Sequence, residues 1–183
     1  MVGETHISVI VRPTNAYAVE YICNNLREID KIELFASLPS DNPLILTTET
    51  YGAMKRGHGV VIWVDGLPAA LCGLAPDYRN PNMYQVFAFG TDAWKQAVYY
   101  VSREASRMAR EELDANENAM RLQADSHEKH TCAHKWLEVL GATRESEMPH
   151  YGRDGATFYR YVWIRGGEWM NRFKRWESYR EAA

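Results

Sequence analysis

The chain predicts an α/β (α+β) fold, a mostly antiparallel sheet of about seven strands with helices interleaved on both faces. Three observations predict it. Short β-branched or aromatic runs alternate with segments of helical period along the 183 residues. Val60 to Val64 and Pro68 to Ala75 flank Asp65-Gly66, the sequence of a tight β-hairpin. A long amphipathic stretch from about Ala93 to Glu112 stands between two strands, the one place where parallel pairing through a crossover is needed.

Ile7 to Val11 is a β-branched run stopped by Arg12-Pro13 and predicts a first strand. Thr14 or Asn15 can cap a helix in which Val19, Ile22, Cys23 and Leu26 recur at helical spacing. A second helix is expected from about Asp30 to Ser37. Pro39, Asn42 and Pro43 then break the pattern before a third from Leu44 to Met54. The hairpin comes next, then a strand from Tyr84 to Phe89, with Gly90-Thr91-Asp92 opening the long helix. That helix should bury Trp94, Ala97, Val98, Val101, Ala105, Met108 and Ala109. Met120 to Gln123 begins the next strand. A helix then carries Ala133, Trp136, Leu137 and Leu140 on one stripe until Gly141 stops it. Two more strands close the sheet, the last from Phe158 to Trp163.

Composition excludes several classes. A net charge of −3 and a pI near 6.1 give no global basic surface for nucleic acid or an anionic membrane. Cys23, Cys72 and Cys132 are odd in number and far apart, so they form neither a disulfide framework nor a zinc ribbon. No run reaches the length of a membrane span, and the N-terminus lacks a basic-then-apolar leader. The expectation is a soluble cytoplasmic protein in a reducing compartment.

Two clusters invite separate readings. His127, His130, Cys132 and His134 crowd one segment, and His130 and His134 lie one helical turn apart, the spacing of a zinc-chelating pair. The general-base Glu of that motif is absent, and the segment already serves the fold, so no metal is expected. After Gly166-Gly167, Trp169, Phe173 and Trp176 recur at helical spacing among Arg172, Lys174 and Arg175. A domain ending at Arg165 leaves residues 166–183 as a C-terminal aromatic helix. Such a helix packs on its own domain or docks a second subunit or another protein.

The element order resembles the GCN5-related N-acetyltransferase (GNAT) superfamily over nearly the whole chain. Within it the chain is similar to the acetyltransferase-like proteins of tailed bacteriophages, some of them internal virion proteins. Asn25-Leu26-Arg27 with Asp30 and Glu33, Phe89-Gly90-Thr91-Asp92-Ala93, and Trp136-Leu137-Glu138-Val139-Leu140-Gly141 carry that narrower likeness. The resemblance implies a splayed sheet. The fourth strand would end in a bulge facing the thioester of an acyl-CoA, and the next helix N-terminus would face the pyrophosphate. The cofactor-binding residues would then be Phe87, Ala88, Phe89 and Gly90, followed by Lys95, Gln96 and Ala97, with His130. Asp92, Lys95 and Ala97 stand where the family's turn usually has Arg or Gln, Gly, and Gly or Ala. Asp92 there suits an N-cap, and Lys95 can contact phosphate.

The reaction implied is transfer of an acetyl group from acetyl-CoA to an amine. Leu137 occupies the place of the family's proton-donating Tyr, and His130 that of an Asn. Glu33, Asp30 and His130 are the substitutes: an acid on the acceptor wall could take a proton from the incoming ammonium, and the imidazole could donate to sulfur. Their other reading is a solvated helix face for the acids and an exposed helix start for the histidine. Tyr84 and Tyr151 are further hydroxyls. The competing expectation is a catalytically silent scaffold, in host cytoplasm or a virion, acting through a homodimer, host or virion contact at Trp169, Phe173 and Trp176.

Overall fold

The computed structural model describes residues 7–167 and Trp169. Its elements run β1 (Val9–Pro13), α1 (Ala16–Asn24), α2 (Glu28–Ala36), α3 (Pro43–Arg56), β2 (His58–Val64), β3 (Leu67–Pro76) and β4 (Met83–Gly90). They continue with α4 (Trp94–Ala115), β5 (Arg121–His127), α5 (Thr131–Val139), β6 (Thr143–Met148) and β7 (Phe158–Ile164). The seven strands form one sheet in the order β1-β2-β3-β4-β5-β7-β6, with every neighbouring pair antiparallel except β4 and β5. The expected fold class is the one observed.

Local chemistry explains the boundaries. The Asn15 side chain accepts from the Ala18 N–H and starts α1. Asn42 caps α3 with Pro43 in its first turn. Asp65 and Gly66 both have positive φ, +49° and +82°, as a primed hairpin turn requires. Gly141 ends α5 at φ +89°.

Helices cover both faces. Ala97, Val101, Ala105, Met108, Ala109 and Leu113 of α4 pack on Ile62, Cys72, Leu74 and Leu122, joined by Leu137 of α5 and by Leu140 just past its end. On the other face Val19, Ile22 and Cys23 of α1 meet Leu46 and Met54 of α3 over Val61, Leu71 and Phe89. Trp94 and Val98, expected on the buried face of α4, are only half-buried, because they border an open cleft.

The parallel pair gives the sheet its opening. β4 and β5 are in register only at Met83, Tyr84 and Gln85, opposite Arg121, Leu122 and Gln123. Beyond Gln85 the strands diverge, and the sheet splits into a wedge. Its two arms are Val86–Gly90 and Ala124–His127.

The C-terminal aromatic helix falls outside the described residues except for Trp169. That indole is buried, lies on Gly141, and donates its Nε1–H to the Ile164 carbonyl at 2.9 Å. Trp169 therefore belongs to the chain's own core and offers no exposed docking surface, a correction to its expected role in partner contact. Phe173 and Trp176 lie outside the described residues. None of the helices described is long and apolar enough to cross a membrane.

Candidate active site

The wedge opens into a cleft of about 500 Å³, floored by Val86–Phe89 and Ala124–Ser126 and walled by α2, α4 and α5. Strand geometry decides which backbone groups face it. The Thr91 N–H bonds the Ala69 carbonyl at 2.8 Å, which fixes Phe89 and Phe87 as the residues hydrogen-bonded to β3. Ala88 and Gly90 therefore turn their N–H and C=O groups the other way. Ala88 lies past the last position paired to β5 and presents its backbone edge to the cleft. The β3–β4 register runs unbroken from Pro76↔Tyr84 to Ala70↔Gly90, so the bulge expected at the end of the fourth strand is not there. Divergence from β5 opens the edge instead. Of the residues expected at this edge, Ala88 has its backbone groups free of β3, while those of Phe87 and Phe89 are bonded to it.

Gly90 has another assignment. Its N–H donates to Asp30 Oδ2 at 2.9 Å, and its carbonyl accepts from the Arg27 N–H at 3.0 Å. Arg27 grips the same carboxylate twice, Nε at 2.8 Å and Nη2 at 2.7 Å, while its guanidinium lies 4.1 Å from the centre of the Trp94 ring. Asp30 is only 1% exposed. Burial pushes its carboxyl above the ordinary aspartate range, against the opposing pull of Arg27. The solvated-face reading of this residue is corrected: Asp30 is a staple between α2 and the β4 arm.

Glu33 forms the matching staple to the other arm. Its Oε2 accepts from Ser126 Oγ at 2.7 Å, the His127 N–H at 2.8 Å and His130 Nδ1 at 3.0 Å. Burial pushes this carboxyl up, but the His130 imidazole and the two other donors prevail and hold it below its ordinary value. It too departs from the solvated-face reading, although its side chain keeps 16% exposure where it borders the cleft.

His130 caps the start of α5 and is 4% exposed, which overturns its solvent-facing reading. The Glu33 carboxylate can only accept, so Nδ1 is the donor in this contact and Nε2 is left free of it. Neither His130 nor His134 is arranged as a ligand. His134 Nε2 donates to the His127 carbonyl at 3.0 Å, and burial holds its imidazole below the usual histidine value. Among the described residues no group of His, Cys, Asp or Glu is placed to hold a metal ion.

Other expectations sort by position. Leu137 lines the cleft yet is buried in the α4–α5 core. Tyr84 lies at the far end of β4, where its hydroxyl accepts from Asn116 and burial pushes its pKa up to about 12; it does not reach the cleft. Tyr151 does line it, donating to Asp125 Oδ2 at 3.4 Å. Asp92 is exposed and caps nothing; Thr91 Oγ1 accepts from the Ala93 N–H at 3.2 Å instead. Lys95 and Gln96 are exposed at the start of α4, and Ala97 is buried in the core beneath them. The Trp94 and Gln96 N–H groups already bond the carbonyls of Thr91 and Ala93, so this helix start has fewer free donors than an anion site usually offers. Sequence reasoning missed Ser126, whose only signal was a polar residue inside a strand, and Trp94 with Trp136, which pack edge to face at 6.1 Å on the α4 side.

No protein-family model matches the chain, and no curated protein matches its sequence. Solved structures do match in three dimensions. A protein assigned as an acetyltransferase superposes with a TM-score of 0.67 at 15% identity, covering 93% of this chain and 92% of its own. A GNAT-family acetyltransferase from Bacillus anthracis gives 0.62 at 12% identity over 87% and 96%. RimL, a ribosomal L7/L12 alpha-N-protein acetyltransferase solved with coenzyme A, also gives 0.62 at 12% identity, over 85% and 93%. At these identities the likeness is one of fold, and the chain has the fold of the GNAT acetyltransferases.

Proposed function

We propose that the protein transfers an acyl group, acetyl in the first instance, from acyl-CoA to an amine by direct attack in a ternary complex. The carrying observation is the wedge itself. An unpaired backbone edge at Ala88 faces Glu33 and His130 across one cleft, so a thioester carbonyl and a proton-handling group can meet there. Phe87, Ala88 and Phe89 form the thioester floor. Gly90, held by Asp30, fixes its end. Lys95 and Gln96 stand at the exposed helix start where the diphosphate would lie, with Ala97 packing the first turn beneath them. Of the three acids and bases expected to act, Asp30 is committed to Arg27 and Gly90, which leaves Glu33 and His130 for the chemistry.

One observation favours a second reading, a catalytically silent GNAT-fold protein working through host or virion contacts. Three N–H groups of the diphosphate-facing turn, those of Ala93, Trp94 and Gln96, are satisfied internally. A thermal-shift titration with acetyl-CoA separates the two. Ligand at about 100 times its Kd adds about 2.7 kcal/mol, or roughly 5–11 °C in Tm for a chain of this size. Lys95→Glu should weaken that shift. No shift at millimolar acetyl-CoA would replace the enzyme with the scaffold.

A further inference from the structure

The acyltransfer reading leaves one chemical gap: with leucine at position 137, nothing in the family's usual place protonates the departing thiolate. We propose that His130 Nε2 closes that gap by carrying a single proton from the attacking nitrogen to the leaving sulfur, with Glu33 as its positioning residue. This rests on the acyltransfer reading and deepens it.

The geometry singles out this atom. Nδ1 is anchored 3.0 Å from Glu33 Oε2, and that oxygen is itself fixed by Ser126 Oγ and the His127 N–H. The ring is thus held in one orientation, with Nε2 directed away from the carboxylate. Among the described residues Nε2 has no hydrogen-bond partner. It is also not sealed in, unlike His127 Nε2, which is buried without a partner. Since His130 lines the cleft and is otherwise covered, the small exposed part of the residue is cleft-facing. The charged and titratable groups around it are Asp30 and Glu33 from α2, with Arg27 behind Asp30, His127 from β5 and His134 from α5.

The step balances. A neutral amine adds to the thioester carbon, forming the C–N bond and leaving an oxyanion and a protonated nitrogen. Nε2 takes that N–H proton. The oxyanion collapses, the C–S bond breaks with its electron pair on sulfur, and the imidazolium returns the proton to the thiolate. The products are the amide and the free thiol, and His130 ends neutral. Nitrogen and sulfur are substituents of the same tetrahedral carbon, so one imidazole can serve both by a small rotation of the intermediate. Ionised Glu33 stabilises the transient imidazolium and does not itself take the proton. Glu33 is thereby reassigned from candidate base to positioning group.

The test uses full-length protein, acetyl-CoA and a panel of primary amines with hydroxylamine as the smallest acceptor, read as free-thiol release. His130→Ala should lower kcat/KM by about 10²–10⁴, change the shape of the pH–rate profile, and regain rate with added imidazole. Glu33→Gln should lower kcat more than it raises KM. Nitrogen-15 histidine spectra of the unsubstituted protein supply a readout that needs neither turnover nor a variant. They should show His130 Nδ1 protonated and hydrogen-bonded. A wild type that neither binds acetyl-CoA nor releases thiol overturns the acyltransfer reading and the relay with it. A wild type that transfers while His130→Ala keeps its rate and pH profile overturns the relay alone, as would spectra showing the Nε2–H tautomer.

Discussion

Asp30→Ala should be among the most damaging single changes in this chain outside its apolar core. The substitution removes the acceptor of three hydrogen bonds, two from Arg27 at 2.7 and 2.8 Å and one from the Gly90 N–H at 2.9 Å. It also leaves a guanidinium with 16% side-chain exposure facing an empty site. Breaking a buried ion pair by deleting one partner costs about 3–5 kcal/mol. The lower end applies here, because Arg27 keeps its stack on Trp94 and burial already disfavours ionised Asp30. About 3 kcal/mol corresponds to a Tm loss of roughly 6–12 °C at this chain length. Asp30→Asn retains an acceptor for Gly90 and should lose about half as much by the same reasoning. Urea unfolding followed by tryptophan fluorescence measures both, and the cycle with Arg27→Ala should return a coupling of at least about 1.5 kcal/mol. A loss under about 1 kcal/mol for Asp30→Ala, or additivity in the cycle, would refute the staple.

Three further outcomes are expected from the same structure. Because Glu33 is held below its ordinary pKa, its contribution to stability is complete above the ordinary glutamate value and disappears as pH falls through the folded one. Urea midpoints between about pH 3 and pH 7 should therefore decline more shallowly on the acid side in Glu33→Gln than in the wild type. Trp169→Ala removes a buried indole seated on Gly141 and should cost about 3–5 kcal/mol; by the same contact, truncation after Arg165 should lower Tm. An unchanged Tm in either variant would show that the contact adds nothing.

Much of the fold could be read from the chain because it rests on local rules. Asp65-Gly66 specifies its turn by the positive φ both residues adopt, Gly141 stops a helix for the same reason, and the stripe of α4 carries its own period. The site was legible only in part. Glu33 and His130 line the cleft and Asp30 does not, and the surroundings of all three were misjudged. A helix segment with Arg27, Glu28, Asp30, Lys31 and Glu33 reads as a solvated face, and nothing local says that two of its five charges point inward. Their partners are Gly90, 60 residues away, and Ser126, His127 and His130, 93 to 97 residues away. Partners so distant are selected by tertiary packing, which no window of sequence contains. The missing bulge has the same origin. Whether β4 opens its edge by a bulge or by leaving β5 is decided by strands 38 residues apart.

The spacing of the two buried acids makes the cleft a consequence of the helix rather than of the sheet alone. Positions 30 and 33 lie on nearly the same face of α2, about 4.5 Å apart along its axis at 1.5 Å per residue. One takes the end of β4 and the other takes β5 and the start of α5. Two strands that paired fully would stand about 4.8 Å apart, with no room between them for a substrate. The helix end instead holds the arms open by anchoring each to its own carboxylate, and both anchors are formed from charge-assisted hydrogen bonds with little exposure. Opening a parallel pair leaves backbone donors and acceptors without partners, which is unfavourable unless something replaces the ladder. Asp30 supplies that replacement for Gly90, and Glu33 does so for His127. Ala88, on the β4 arm, has no such replacement. The same two contacts that keep the wedge open therefore leave the Ala88 backbone edge opposite one oriented imidazole. Removing Glu33 should release that imidazole and weaken the arm holding it, so the chemistry and the stability of β5 should fall together, whereas removing Asp30 should act on stability first.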